Sequence, residues 1–561
     1  MQRRLFLSAA ASAAATALAG CSGASAPLAG GFAGVDMARG HALRDRGKSG
    51  ALPAPGVQRR TRVLIAGGGM AGLGAARALR LAGVDDFALL ELEDSAGGNS
   101  RAGQVLGRAC PLGAHYLPVP GDAAPEVQDL LEELGLRQRV AGRWRYDEFA
   151  LCHSPQERLF WQGAWHEGLL PVHGVGEATL AQYRQFSQRV AALSKAARFA
   201  MPTFADWISN TPLAPDLIAL DATTFESWLL REGLTDPHLR WYLDYCCRDD
   251  YGAGAAQVSA WAGIHYFASR HGFSAPGDEA PDTDSVLTWP EGNGFLANAL
   301  ARPVANQGQL HTGHSVLRIA EHRHGVEVDA LDHASGQVVR WRADRCVVAL
   351  PVFIAARVVQ QPPDFLQAAN TLLSYSPWVV TNLAIDSPLT DLPGAAPAWD
   401  NVLYDAGTPG GLGYVDAGHQ RLDQRAHLTL PTVLTYYQAL GDIPSARADL
   451  AQQPWQHWAD AAIAGLSSAH PDLRARVQRA EVTRYGHAMA IPRPGGLKTL
   501  SQIGLQRPVG KRKQLLNGER QRPLPTPATA RIAYAHADWS GYSVFEEAFT
   551  RGHGAGLWAA I

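Results

Sequence analysis

The sequence predicts an α/β fold with two interleaved domains, and three observations predict it. A β-rich run, residues 62–66, opens at once on Gly67-Gly68-Gly69-Met70-Ala71-Gly72. That turn leads a helix-patterned stretch, 73–82, into a second strand-like run, 87–90, closed by the acid Glu91. Strand, glycine turn, helix, strand and acid in this order are the parts of a Rossmann-like dinucleotide-binding unit. Two long inserts of different character, 121–288 and 352–479, then separate this unit from later strand-rich segments. At 561 residues the chain leaves room for them to form a second large domain.

In chain order, residues 1–21 read as an address rather than a fold. Met1-Gln2-Arg3-Arg4-Leu5-Phe6-Leu7 is a charged start, 8–19 a short apolar run of small residues, and Leu18-Ala19-Gly20-Cys21 a small-residue processing site. The run is too short and too alanine-rich to span a bilayer. Arg3-Arg4 resembles a twin-arginine export signal, and Leu18-Ala19-Gly20-Cys21 resembles a bacterial lipobox. The resemblances imply passage through the twin-arginine export machinery and a lipid anchor at Cys21. The protein would then be periplasmic or a membrane-anchored lipoprotein of a bacterium, touching membrane only through that anchor. Such a route carries folded proteins, so a tightly held cofactor would be inserted before export. Residues 22–60, rich in Gly, Ala, Ser and Pro, read as a flexible tether.

Composition narrows the classes. At 561 residues the chain has room for two large domains, and its net charge of −2 with 18% charged residues excludes a basic nucleic-acid binder. After Cys21 the cysteines stand at 110, 152, 246, 247 and 346, with no zinc spacing. Cys246 and Cys247 sit in an aromatic helical run and read as core. His311, His314, His322 and His324 flank predicted strands without clustered carboxylates, so they read as solvated faces and no metal is expected. No Gly-x-Ser-x-Gly elbow appears.

The glycine turn has assignable mechanics. Gly67 permits the tight turn, Gly69 lets backbone approach a pyrophosphate, and Gly72 lets helix and strand pack closely. The helix opening at Met70 and Ala71 offers free N–H groups to phosphate. Glu91 is placed to accept hydrogen bonds from ribose hydroxyls.

Further residues distinguish the kind of dinucleotide. Gly97-Gly98-Asn99-Ser100-Arg101 and then Gly113-Ala114-His115-Tyr116 follow the acid. Here the sequence resembles the flavin-containing amine oxidase superfamily, which includes monoamine and polyamine oxidases, protoporphyrinogen oxidase and carotenoid desaturases. The resemblance implies an FAD flavoprotein of the two-dinucleotide-binding-domain type; some relatives tether the flavin through a cysteine, and 530–561 hold none, so the FAD is expected to be non-covalent. The resemblance extends to 289–296, to 310–319 with Val316 at the adenine side, and to 343–351. It resumes at the C-terminus. Residues 531–535 are strand-like, 538–542 a turn, and a helix from Phe545 would aim its N-terminus at the flavin. Asp538 would replace the family's ribityl-binding acid, with Ser543 close by. Arg101 stands two residues beyond the family's usual arginine and is a candidate phosphate contact. The implied FAD-binding domain is 61–120, 289–351 and 480–561, and the resemblance implies that 121–288 and 352–479 form one α+β substrate domain interleaved with it and lying over the flavin.

The inserts speak to chemistry. Residues 121–288 are mostly helix-patterned and aromatic, 376–440 sheet-like and 444–468 helical, which suits an apolar pocket over the flavin. Amine oxidases usually carry a lysine on the strand around 377–383. Thr381 or a neighbour stands there, and no lysine lies between 196 and 497. Tyr542 resembles one aromatic of an amine-binding cage. Thr381 and Tyr542 are therefore the candidate catalytic positions. The expected function is hydride transfer from a small organic substrate to FAD, amine oxidase-like or desaturase-like, with weak or no turnover of simple monoamines. The alternative is a non-catalytic flavin- or nucleotide-binding lipoprotein serving as a scaffold or partner subunit.

Overall fold

The structure is a computed structural model that describes residues 27–49, 54–196, 199–203, 213–278, 285–404, 407–421, 431–504 and 526–561. The export signal, Cys21, Lys511 and Lys513 lie outside the described residues. Among the described residues no helix is long and apolar enough to cross a membrane.

The chain opens with β1 (Ala29–Phe32) and α1 (Met37–Ser49), then β2 (Val57–Ala66), α2 (Met70–Leu81) and β3 (Phe87–Leu90). Next come β4 (Glu157–Trp161), β5 (Ala164–Glu167), α3 (Pro237–Tyr251) and α4 (Gly294–Asn306). A strand run follows: β6 (Leu310–His311), β7 (His314–His322), β8 (Gly325–Asp332) and β9 (Val338–Val348). The second insert supplies β10 (Tyr375–Ile385), β11 (Asp400–Leu403), β12 (Gly411–Asp416), β13 (Val433–Ala439) and β14 (Val477–Ala490). The chain closes with β15 (Ile532–Tyr534) and α5 (Phe545–Ala560).

These strands build two large sheets. The seven-stranded sheet runs β6-β3-β2-β9-β8-β7, with β15 beside β9. Its β6, β3, β2, β9 and β15 pair in parallel, while β9, β8 and β7 form an antiparallel meander. The central strands read as unbroken apolar runs because both faces are covered: Val63, Leu64, Ile65 and Ala66 are all fully buried. Helices α2 and α5 pack on one face with little between them. A Cβ on Gly552 would stand 1.9 Å from the Ala71 carbonyl oxygen, and one on Gly556 2.4 Å from that of Ala75. The eight-stranded sheet runs β1-β14-β10-β13-β12-β11-β4-β5 and carries the second domain.

Two boundaries differ from the sequence expectation. Within the stretch expected as a tether, β1 joins the eight-stranded sheet in parallel with β14, α1 follows, and β2 already begins at Val57. Residues 480–490 belong to β14 and hence to the eight-stranded sheet. The first insert is mainly helical as expected, and its β4 and β5 extend that same sheet at its far edge. All five described cysteines are free, and Cys246 and Cys247 are buried on α3 as expected.

Candidate functional site

The C-terminal edge of β2 delivers the glycine turn, and each glycine meets a different neighbour. Gly67 takes φ +104°, and a Cβ there would lie 2.3 Å from the Ala349 carbonyl oxygen. A Cβ on Gly72 would lie 1.8 Å from the Gly67 carbonyl oxygen, so α2 sits directly against the turn. Gly69 is unlike both: the nearest atom to its Cβ position is Gly98 Cα at 3.9 Å. A side chain there would meet no wall but would fill the cavity. Gly69 caps α2 without a side-chain bond, which leaves the first-turn N–H groups of Met70 and Ala71 toward that same space.

Glu91 closes the turn from the end of β3. Its Oε2 accepts from Gly68 N at 2.8 Å and its Oε1 from Glu93 N at 2.8 Å. Burial pushes this carboxyl up, and the two N–H bonds offset part of that rise. Gly97 N donates to the Gly68 carbonyl at 2.8 Å, bringing Gly97 and Gly98 beside the turn.

One continuous cavity of about 640 Å³ starts at this turn. Val316, Gly113, Ala114 and His115 line it, as do Asp538 and Ser543. Asp538 accepts from Val352 N (2.9 Å) and Tyr375 Oη (2.8 Å) and pairs with His536 Nδ1 at 3.1 Å. Burial alone would raise its carboxyl; the His536 interaction leads those that outweigh burial, so the net direction is down. Burial drives His115 down to about 3, so it stands neutral against the Tyr437 ring, 4.6 Å away between centroids.

The far end of the cavity is aromatic and acidic. Trp378 and Val380 on β10, Tyr437 on β13 and Tyr116 form walls, and Asp249, Asp250 and Arg270 stand among them. Arg270 is held between Asp250 (3.3 Å) and Glu546 (3.4 Å). Among the described residues no hydrogen bond or ion pair reaches Asp249. Burial, with Asp250 adding to it, lifts Asp249 to about 7; burial lifts Asp250 to about 6 against the pull of Arg270.

Several sequence-predicted residues fall elsewhere. Thr381 is fully buried on β10, where side chains alternate, and Trp378 and Val380 take the cavity face instead. Tyr542 is fully buried outside the cavity, bonded to Glu547 Oε1 at 2.8 Å and to the Thr203 hydroxyl; its neighbours Ser543 and Val544 line the space. Arg101 does not line the cavity: it donates to the carbonyls of Gly98 (3.0 Å) and Gly34. His311 and His314 are half-buried rather than solvated, with His311 against the Trp341 ring, whereas His322 and His324 are exposed. Lys498 is exposed, and no described lysine lines the cavity. Among the described residues no group of three metal-ligating side chains occurs. Sequence reasoning missed Asp249, Asp250 and Arg270. The adjacent acids in an otherwise aromatic helical run were the available signal.

The glycine cradle, the free helix N-terminus and the buried acid fit an adenine dinucleotide whose pyrophosphate would be held by Gly69 and Gly98. Comparison with known proteins bears on which one. The sequence model for "Flavin containing amine oxidoreductase" matches residues 70–432. A Baeyer-Villiger monooxygenase of Pseudomonas aeruginosa is 31% identical over 121 residues, 20% of this chain and 23% of that protein. The chain thus matches about a quarter of that curated relative's length. Among solved structures, a putrescine oxidase bound to putrescine has a TM-score of 0.62 at 16% identity, covering 89% of this chain and 99% of that one. Cyclohexylamine oxidase from Brevibacterium oxydans IH-35A has a TM-score of 0.58 at 16% identity, covering 89% and 98%. At these identities the likeness speaks for the fold.

Proposed function

We propose, from the premise that this chain belongs to the flavin-containing amine oxidoreductase family with FAD as its cofactor, that it is an exported oxidoreductase taking hydride from an amine with a second polar or cationic group. The observation that carries this reading is the continuity of the cavity. The glycine turn and Glu91 at one end, and Trp378, Tyr437 and Asp249 at the other, enclose a single space. A substrate between the aromatic walls would therefore sit against the cofactor with no barrier between them.

The chain's residues divide the work. Gly69, Gly98 and the α2 N-terminus would hold the pyrophosphate, Glu91 the adenosine ribose, and Asp538 and Ser543 the ribityl chain. When bound, FAD supplies the two-electron acceptor. Trp378, Tyr116 and Tyr437 exclude water and fix the substrate plane. Neutral His115 adds no charge to the wall. Asp249, lifted to about 7, is present as both acid and carboxylate at neutral pH, which suits a group that meets a substrate nitrogen and shares its proton. A substrate reaching Asp249 gains more than benzylamine would, in keeping with the expectation of weak turnover of simple monoamines. The putrescine oxidase likeness supports the same direction.

The test is anaerobic bleaching of the flavin band by benzylamine, putrescine and spermidine. Faster bleaching by the two longer amines is expected. Equal bleaching by benzylamine removes the role given to Asp249, and no bleaching by any amine removes the amine reading.

A further inference from the structure

The segment before the glycine turn, 29–44, lies outside the stretch matched by the family, yet from Val35 onward it forms part of the cavity wall. Val35, Met37, His41 and Leu43 are among its lining residues. The segment is fastened at three points. β1 pairs with β14 from Ala29 against Arg479 to Phe32 against Val482, and the Arg484 guanidinium lies over the Phe32 ring, 3.7 Å from its centroid. Arg101 then donates to the Gly34 carbonyl. Finally Asp36 N donates to Glu93 Oε2 at 3.0 Å, while Arg39 donates to the Leu92 carbonyl at 3.1 Å and pairs with Asp94 at 2.8 Å. Residues 92–94 directly follow Glu91. The segment therefore crosses from the eight-stranded sheet to the loop beyond the ribose acid, over the adenosine end.

Its glycines are shaped for that path. A Cβ on Gly30 would meet the Ala480 carbonyl oxygen at 2.1 Å, and Gly34 takes φ +79° with Leu112 and Thr483 close by. Glycine here permits close docking; it does not confer looseness.

We propose that residues 29–44 are a retention strap for the adenine dinucleotide, closing over its adenosine half and limiting the rate at which it leaves. The proposal rests on the FAD reading above. A cofactor of this length cannot leave on the strap side while β1, Gly34 and Arg39 are all fastened. Opening requires breaking the Arg39 and Asp36 bonds together, and bonds to charged groups are the stronger class.

The test measures FAD release from the full-length holoprotein, followed as the rise in flavin fluorescence on dilution. Arg39→Ala removes the Arg39 contacts to Leu92 and Asp94 and leaves the clasp only the Asp36–Glu93 bond, and Gly30→Val drives β1 off β14, neither touching the glycine turn. Each is expected to speed release roughly tenfold or more, the scale of one lost charge-assisted bond. Arg474→Ala, in an exposed ion pair with Asp460, serves as control. FAD should also slow tryptic cleavage after Arg39 and Arg44, but not after Arg474. Should Gly30→Val fail to fold, Arg39→Ala and the cleavage pattern still decide. Wild-type release rates in the folded variants, or cleavage after Arg39 indifferent to FAD, overturn the strap. A wild-type protein that neither carries nor takes up FAD instead overturns the FAD reading on which the strap rests.

Discussion

Glu91 performs two tasks with one side chain. It pins the Gly68 and Glu93 N–H groups, and it borders the space where a ribose would lie. Glu91→Ala should weaken FAD binding about ten- to a hundredfold, the ~1.5–3 kcal/mol of a charged-group hydrogen bond, measured by titrating apoprotein with FAD. Gly69→Val should abolish binding while leaving the apoprotein folded, because its side chain enters open space; a circular dichroism melt beside the titration separates the two effects. Asp249 sets a pH dependence. Burial, with Asp250 adding to it, lifts its carboxyl from an ordinary 3.8 to about 7, so between those values the folded protein holds more protons than the unfolded chain. Its ionisation therefore costs stability progressively as pH rises from about 4 to 7. Asp249→Asn should match wild type in Tm near pH 4 and exceed it at pH 8, and should lack the fall in KM for putrescine expected of wild type as pH rises through 7. At this scale Glu91 and the glycines were legible because spacing along one strand-turn-helix fixes their geometry. Thr381 was not. A strand's sequence does not say which of its alternating faces meets the cavity, and here Trp378 and Val380 do. Tyr542 was misplaced for a related reason: its side chain turns inward to Glu547 and Thr203, and Ser543 and Val544 take the lining.

At the scale of elements, α2 and α5 behave as one unit. Gly552 and Gly556 on α5 meet backbone of α2 at Ala71 and Ala75, and Gly74 on α2 meets Phe549. Both helices also open toward the cavity, so their spacing sets the distance between the pyrophosphate end and the flavin end. Gly552→Leu should cost ~1–3 kcal/mol or more by overpacking, and should also lower FAD content, since the separated helices no longer aim their N-termini together. Denaturant melts with flavin absorbance as a second probe would show both; a variant with full flavin and unchanged midpoint contradicts the coupling. The βαβ unit and the meander were readable because their apolar runs and turn signals are local. β1 and α1 were not, since the same glycine-rich composition suits a free linker and a strand docked tightly enough to exclude a Cβ. Only the partner strand, more than four hundred residues away, decides between them.

At the scale of the whole molecule, two sheets of eight and seven strands enclose one cavity, and the chain passes between them repeatedly. The interleaving was foreseen from the order of motifs; the exchange of 480–490 was not, because β14 is an amphipathic strand that either sheet would accept. Export and lipidation belong here as proposals. Changing Arg3-Arg4 to lysines should leave precursor in the cytoplasm, and Cys21→Ala should yield exported protein that is no longer held by membranes, both read by fractionation and immunoblot. Docking of β1 changes what such an anchor would mean. From Cys21 to Ala29 the chain has eight residues, a leash of at most about 28 Å when fully drawn out at ~3.3–3.6 Å per residue. The body would then ride close to the bilayer surface with the β1 edge facing it, unable to tumble freely. Any pull on the lipid would load the β1–β14 hydrogen bonds first. A strand loaded in this way is also the hinge of the proposed strap, so tension at the membrane and escape of the nucleotide would be governed by the same few bonds.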